Sequence, residues 1–192
     1  MFKTARSRFK AWLTAGAGTI AALFVAGLMG AFGALPAHAP PSLPADAATD
    51  AGRWRIEPVR AYVSHANVYG VPIKSGQKAL VLEVDITNRT AQSDKAYFDV
   101  FKPEGIAFPD GKPMITLTRD STLTPELHPG MAERMAYVWP LAADVAVPSS
   151  LSFAITAEIF KPRDNLYGVP GWYNPYRLGT ITLAVGDHGG AG

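Results

Sequence analysis

Alternating apolar and polar positions run through most of the chain after residue 53 and predict β-strands. From Leu80 to Thr87 every second residue is apolar, starting with Leu80, while Val81, Glu83 and Asp85 fall on the other face. A period of two is typical of a strand with one buried face and one wet face. Six similar runs predict further strands at Trp54–Ser64, Ala96–Lys102, Met114–Thr118, Met131–Trp139, Leu151–Phe160 and Leu178–Val185.

These strands predict one all-β domain over residues 53–186. Pro, Gly, Asn or Asp separates each strand from the next, and this region has no sustained helical period. Seven short strands in one domain favour an antiparallel sandwich over a barrel. The Pro- and Ala-rich residues 36–52 are predicted to form an extended tether, and residues 187–192 a disordered tail.

The apolar pattern near the N-terminus is much longer and predicts a transmembrane helix. Residues 11–35 contain no charged side chain, and the preceding segment 1–10 carries four basic residues. At about 1.5 Å per residue, a helix over this run reaches roughly 37 Å, enough to cross a bilayer core of about 30 Å. The basic residues then place the N-terminus in the cytoplasm, and the C-terminal domain is periplasmic or extracellular.

A cleaved signal peptide is the alternative interpretation of the same segment. Ala37-His38-Ala39 has the small-x-small pattern of a signal peptidase site, and cleavage there would release a secreted domain. However, the apolar run exceeds the about 7 to 15 residues of a typical signal peptide, and Pro40 directly follows the site. Both features favour a retained single-pass anchor.

Small residues recur on one face of the predicted membrane helix. Gly18, Ala22, Ala26 and Gly30 are spaced by four, a pattern that allows two transmembrane helices to approach closely. Gly, Ala and Thr are frequent throughout the segment, so composition alone also explains the pattern. Self-association, or association with another membrane protein, is therefore one of two alternatives for this helix.

Charge and cysteine content exclude several classes of function. The net charge is +2, but segment 1–10 holds four of the 18 basic residues, which leaves 14 basic against 16 acidic residues in the rest of the chain. These charges are scattered, whereas nucleic acids require a clustered basic surface, so we expect no nucleic-acid partner. The absence of Cys excludes disulfides, thiolate metal sites and cysteine nucleophiles.

Two groups of residues have the side chains of a catalytic triad without its sequence context. Ser64 is adjacent to His65, and Asp120 and Ser121 precede His128. Neither serine lies in a nucleophile elbow of the G-x-S-x-G type. Neighbouring residues on a strand also point to opposite faces, so Ser64 and His65 would not readily meet.

Carboxylates and histidines do not form a recognisable site either. Glu83 and Asp85 share a strand face and could act as a glycosidase pair, but such residues more often form the wet face of a sheet. The four histidines lack zinc-binding spacing. We therefore predict that the protein is not an enzyme, has no catalytic residues and holds no metal or cofactor.

Several short motifs follow one another in an order that indicates a family. They are Ile86-Thr87-Asn88 at the end of a strand, Phe98–Phe101, Leu127–Gly130, Tyr137–Pro140 and Pro148–Phe153. In this order they resemble the immunoglobulin-like accessory domains of many bacterial envelope proteins. The resemblance covers roughly residues 54–185 and implies a seven-stranded antiparallel immunoglobulin-like sandwich outside the cytoplasm. It implies no shared catalytic residues, because a fold does not determine a function.

The segment 161–177 concentrates aromatic residues in a predicted loop. Tyr167, Trp172, Tyr173 and Tyr176 lie there among Gly and Pro residues. Tyr and Trp are favoured at binding hot spots because they combine apolar area with a polar group, so these four residues are candidate partner-binding residues. The alternative is that their rings cover an open end of the sandwich.

These features lead to three hypotheses on function. The first is a membrane-anchored extracytoplasmic module that contacts another envelope protein through segment 161–177, as an accessory subunit of a membrane assembly. The second is an extracytoplasmic small-molecule or glycan receptor that uses the same segment. The third is a scaffold subunit that associates through its transmembrane helix. A concave pocket under the aromatic rings would favour the second hypothesis, and a convex surface the first.

Overall fold

Eight strands form one continuous sheet that folds over on itself into a two-layered sandwich. The structure, a computed structural model, describes residues 19–29, 40–108 and 111–188. The strands lie in the order β4-β7-β8-β2-β3-β6-β5, with β1 paired to β2. Their bounds are β1 Thr49–Ala51, β2 Trp54–Ser64, β3 Gln77–Asn88, β4 Phe101–Pro103, β5 Met114–Leu117, β6 Ala132–Ala142, β7 Ser150–Lys161 and β8 Gly171–His188.

β8 connects the two layers of the sandwich. From Gly171 to Ala184 it pairs antiparallel with β7, and from Val185 to His188 it pairs in parallel with the end of β2. This arrangement corrects the prediction of seven strands that are all antiparallel. A parallel contact this short leaves no distinct residue pattern, because the period of two is the same for both kinds of pairing.

Aromatic side chains from both layers meet in the core. Tyr137 of β6 contacts Phe101 of β4 edge-on, with 5.1 Å between ring centroids. Trp139 lies two residues further along β6, and its ring centroid is 6.1 Å from that of Phe153 of β7. All four side chains are buried, and burial of a large apolar side chain contributes about 1.5 to 3 kcal/mol. The two layers are therefore held together chiefly by this apolar contact.

The outer face of strands β2, β3 and β6 is also covered. Val68 and Val71 of the β2–β3 connection pack with Val81 and other buried residues on that face. The connection is held by a tight turn, because Val68 and Val71 exchange backbone hydrogen bonds of 3.0 and 2.8 Å. This burial corrects the predicted wet face of β3, since Val81 and Glu83 are both buried under the connection.

Glu83 is buried at the centre of a hydrogen-bonded network on this covered face. Arg60 donates two hydrogen bonds of 2.8 Å to its carboxylate, and Tyr69 and Tyr62 donate bonds of 2.7 and 3.1 Å. Burial by itself would raise the pKa of Glu83, but the hydrogen bonds from Arg60 and Tyr69 and the charge of Arg60 outweigh it and lower the pKa below its usual 4.5. Glu83 thus fastens the β2–β3 connection to the sheet.

The segment predicted as a tether belongs to the sandwich from residue 40 onward. Leu43 donates a backbone hydrogen bond to Thr180 of β8, and Thr180 donates one to Pro41, both 2.9 Å long. Gly179 permits this approach, because a Cβ there would lie 2.6 Å from the Pro41 carbonyl oxygen. The predicted tether 36–52 is corrected accordingly over residues 40–51; residues 36–39, with the Ala37-His38-Ala39 site, lie outside the described residues.

The C-terminal end of the sandwich also extends further than predicted. Strand β8 continues to His188 because its last residues pair with β2. The predicted tail 187–192 therefore begins inside a strand, and residues 189–192 lie outside the described part of the chain.

The N-terminal unit, Met1–Ala39, is separate from the sandwich and is described only over residues 19–29. Residues 19–28 form a helix inside the predicted transmembrane segment 11–35. Among the described residues, no helix has both the length and the apolar character needed to cross a membrane. Of the predicted helix-packing residues, Ala22 and Ala26 lie in this helix, whereas Gly18 and Gly30 fall outside the described residues.

The turn between β1 and β2 presses directly against β7. Gly52 has a φ of 73°. A Cβ at this position would lie 2.3 Å from the carbonyl oxygen and 2.8 Å from the amide nitrogen of Glu158. No side chain fits at these distances, so glycine is required here for space as well as for backbone conformation.

We expect Gly52→Ala to destabilise the full chain more than Gly76→Ala, its matched control. Gly76 has a similar φ of 77°, but nothing lies within 4 Å of an added Cβ. The control should lose about 1 to 2 kcal/mol from backbone strain alone, and Gly52→Ala a further 1 to 3 kcal/mol or so from overpacking. Denaturant unfolding measures both values. Equal losses would contradict the contact between this turn and β7.

Replacement of Glu83 by Gln should reduce stability at neutral pH by about 1.5 to 3 kcal/mol, because charge-assisted hydrogen bonds from Arg60 are lost. The pKa of Glu83 is lower in the folded than in the unfolded state, so its contribution is present above about pH 4.5 and disappears as the pH falls through the folded-state pKa. Denaturant unfolding of the unchanged protein and of Glu83→Gln, each at pH 7 and at pH 3, tests this.

The difference in stability between the unchanged protein and Glu83→Gln should be larger at pH 7 than at pH 3. Asp85→Asn is the matched control, because the Asp85 pair with Arg134 lies at the surface, where exposed pairs contribute 0 to about 1 kcal/mol. A Glu83→Gln difference that stays constant with pH would contradict the role of the Glu83 carboxylate.

Candidate functional site

The β7–β8 hairpin extends beyond the strands on either side of it. β4 pairs with β7 only between Phe153 and Ile155, and β2 pairs with β8 only from Val185 onward. Within the described residues, no other strand therefore pairs with the outer half of the hairpin. This corrects the predicted loop 161–177: Gly171–Arg177 form the first part of β8, and only residues 162–170 connect the strands.

Asp164 holds the connecting loop in one conformation. Its carboxylate accepts hydrogen bonds from the backbone amides of Leu166 and Tyr167 and from Lys161, at 2.9, 3.1 and 3.2 Å. The two backbone hydrogen bonds, followed by the one from Lys161, lower the pKa of Asp164 below its usual range. Gly168, with a φ of 71°, then turns the chain back towards β8. Hydrogen bonds thus define the backbone conformation of this loop.

The predicted aromatic residues pack mainly against each other and against their own hairpin. Tyr167 stacks on Tyr173, with 6.2 Å between centroids, and Trp172 meets Phe160 edge-on at 5.4 Å. Lys161 lies 5.7 Å from the centroid of Tyr173. The structure therefore brings Tyr167 and Tyr173 together, whereas Trp172 packs against Phe160; Trp172 and Tyr173 are half-buried and Tyr167 is exposed.

Six large apolar side chains of this hairpin are exposed to solvent, and we call them the apolar tip. Leu166 is 80% exposed and Tyr167 67%. The full set is Ile159, Phe160, Leu166, Tyr167, Val169 and Tyr176. Elsewhere in the described sandwich, large exposed apolar residues are scattered along the chain, at Val59, Met114, Leu123 and Met131. Such a concentration of exposed apolar residues is typical of an interaction site.

Sequence reasoning found only two members of the apolar tip, Tyr167 and Tyr176. Ile159 and Phe160 end an apolar run that reads as an ordinary buried strand, and their exposure results from the early end of β4. Leu166 and Val169 flank Tyr167 in the loop, and single aliphatic residues carry no recognition signal in a sequence. Their position close to Tyr167 in the sequence is the one signal that could have identified them.

Arg53 connects three parts of the sandwich at the base of the hairpin. Its Nη1 lies 2.7 Å from the Asp94 carboxylate, and its Nε lies 2.5 Å from Glu158. The Nε contact is an ion pair without hydrogen-bond geometry. Nη2 lies 3.5 Å from the backbone oxygen of Trp172. One largely buried guanidinium therefore fixes the β3–β4 connection, β7 and β8 relative to each other.

A groove of about 790 Å³ lies between the hairpin and the β3–β4 connection. Phe160, Pro170 and Trp172 form one wall, residues 89–94 form the other, and Arg53 lies between them. The volume falls within the range of ligand pockets, roughly 300 to 1,000 Å³. The apolar tip thus lies next to a concave, partly polar groove.

The candidate triads do not assemble. Ser64 hydrogen-bonds to the backbone of Ala66, and the carboxylate of Asp120 accepts from the amide of Thr122. His128 instead lies 2.7 Å from Ser93 through Nδ1. Within the described residues, no carboxylate contacts His128, so this exposed pair lacks the third group of a triad.

The candidate carboxylates are each engaged with arginine. Glu83 is bound by Arg60, and Asp85 accepts two hydrogen bonds from Arg134, at 2.9 and 2.8 Å. Neither is presented as a free acid or base to a substrate. Among the described residues, no cluster of His, Asp and Glu could hold a metal ion.

Comparison with known proteins provides a fold relationship only. No protein-family model and no curated protein matches this chain. The structure is similar to the crystal structure of an uncharacterized β-sandwich protein from Clostridium difficile 630, with a TM-score of 0.48 and 10% sequence identity over 79% of this chain and 97% of that chain. A similarity at this level carries no information on function.

Proposed function

We propose that this protein is a membrane-anchored extracytoplasmic binding module that contacts another envelope protein through the apolar tip. The observation that carries the proposal is the exposure of six large apolar side chains at one end of one hairpin. Water-exposed Leu, Phe and Tyr at this density become favourable when a partner covers them. The rest of the sandwich provides a rigid support for this surface.

An ordered loop makes the apolar tip suitable for binding. Asp164 fixes the backbone of Leu166 and Tyr167, and the Tyr167 ring already stacks on Tyr173. A surface fixed in advance loses less conformational entropy on association. Because Leu166 and Tyr167 are largely exposed, a partner protein can cover them without any rearrangement of the loop.

The pairing of the strands supports an immunoglobulin-like topology as part of this proposal. If β2 to β8 are labelled A to G in chain order, the neighbouring strands β2-β3-β6-β5 form the ABED sheet of that fold, and β4-β7-β8 form its CFG sheet. Domains of this kind present their loops and hairpins at the two ends of the sandwich, as this protein presents the apolar tip.

The sequence of the N-terminal unit supports the membrane anchor and the orientation. A basic segment, 1–10, precedes an uncharged apolar run, 11–35, which matches the positive-inside pattern of a single-pass protein. The sandwich follows this run, so the proposed orientation places the apolar tip outside the cytoplasm, where an envelope protein would meet it.

A photo-crosslinking amino acid at Val169 of the full chain in native membranes should capture one defined envelope protein. The same amino acid at Leu123, which is also exposed but lies outside the hairpin, is the control and should not capture it. Leu166→Ala with Tyr167→Ala should reduce the crosslinked product about tenfold or more, because hot-spot residues contribute 1 to 2 kcal/mol or more each.

The double variant should leave the melting temperature of the protein nearly unchanged, because both side chains are largely exposed. Leu166 and Tyr167 are better targets than Trp172 and Tyr173, whose half-buried rings also support the hairpin. Undiminished crosslinking in the double variant, or equal capture from Leu123, would refute the proposal. A large fall in melting temperature would indicate a structural role for the tip.

A further inference from the structure

The groove beside the hairpin is held open by the charges at its base. Arg53 binds Asp94 on one wall and Glu158 of β7, and lies close to the Trp172 backbone on the other wall. Its side chain is only 16% exposed, so this contact is shielded from water. The two walls are therefore fixed at a constant separation before any ligand arrives.

The charges that surround the groove are compensated. Arg53 faces two carboxylates, and the remaining lining cation, Arg89, is paired with Asp50 at 3.3 Å. Two cations thus face three carboxylates around the groove, so it has no excess positive charge to attract an anion. A neutral ligand fits this electrostatic environment better than a carboxylate or a phosphate.

The two walls differ in chemistry. The hairpin wall consists of Phe160, Pro170 and Trp172, which offer apolar faces. The opposite wall is the connection 89–94, with hydroxyl, amide and guanidinium groups. The side-chain amide of Gln92 makes no hydrogen bond within the described residues and is available to a ligand. The groove is therefore amphipathic across its width.

We infer that this groove binds a neutral saccharide. A pyranose ring is itself amphipathic, with an apolar face of C–H groups and a rim of hydroxyls. Its apolar face would rest on Trp172, and its hydroxyls would bind Gln92 and Arg89 on the other side. The volume of about 790 Å³ accommodates a short stretch of sugar units. This site shares Phe160 with the apolar tip but is lined by neither Leu166 nor Tyr167, and it does not depend on the protein partner proposed above.

Binding of three uncharged oligosaccharides, cellotetraose, chitotetraose and maltotetraose, to the full chain in detergent tests the inference. Isothermal titration or saturation-transfer NMR at millimolar concentrations should detect at least one of them. Trp172→Ala and Gln92→Ala should each weaken that binding about tenfold and severalfold, respectively. Trp172→Phe should retain most of it, because an apolar ring face remains.

The double variant Leu166→Ala with Tyr167→Ala is the matched control and should bind the sugar as the unchanged protein does. Failure of this inference is thus distinguishable from failure of the proposed protein contact, which the same double variant should weaken about tenfold or more. Gln92 is exposed, so its replacement tests the site even if Trp172→Ala disturbs the hairpin.

Three results would overturn the inference. The first is that none of the three oligosaccharides binds. The second is that binding persists unchanged in both Trp172→Ala and Gln92→Ala. The third is that tetragalacturonic acid, a carboxylated counterpart, binds more tightly than every neutral sugar and loses its binding in salt, since the groove would then recognise charge through Arg89.

Discussion

The sharing of β8 between the two layers is the constraint on which the rest of the structure depends. Its last residues pair with β2, and its first half pairs with β7 beyond the residues at which β4 stops pairing. No other strand of the described sandwich therefore pairs with the outer half of the hairpin. Hydrogen bonds between the two strands satisfy the backbone there, but several large apolar side chains, among them Ile159 and Phe160, stay exposed. The exposure of the apolar tip is a direct consequence of how the sheet closes.

Two charged residues, Arg53 and Glu83, hold connections in place at two different points of the sandwich. Glu83 binds the β2–β3 connection over the outer face of the sheet, and Arg53 binds the β3–β4 connection against the hairpin. Buried charges are costly unless they are paired, and removal of one partner leaves the other unsatisfied. The connections therefore have defined positions, and the groove and the apolar tip are formed before binding.

The strand pattern could be predicted where one face of a strand is buried, as in β2, β3, β6 and β7. The strand prediction failed for short segments, where only a few residues determine whether a strand pairs. The run Ala96–Lys102 has strand-like composition, yet only Phe101–Pro103 pair, because Tyr97 is buried in a turn and donates a hydrogen bond to the Pro125 oxygen. β1, with three residues, is too short to show a period of two. Of the candidate site, the aromatic residues could be predicted, whereas Arg53 and the connection 89–94 are distant in sequence.

The sequence by itself determined the β-rich sandwich, because alternation of apolar residues records which face of each strand avoids water. It also identified the segment 161–177 as the place where aromatic residues concentrate, although it predicted a loop there. Only the tertiary structure decided which of these rings are exposed, that Glu83 is buried rather than wet, and that a groove opens beside Trp172. These properties depend on contacts between residues far apart in the chain. No local pattern encodes such contacts, since each arises when the two layers close around their common core.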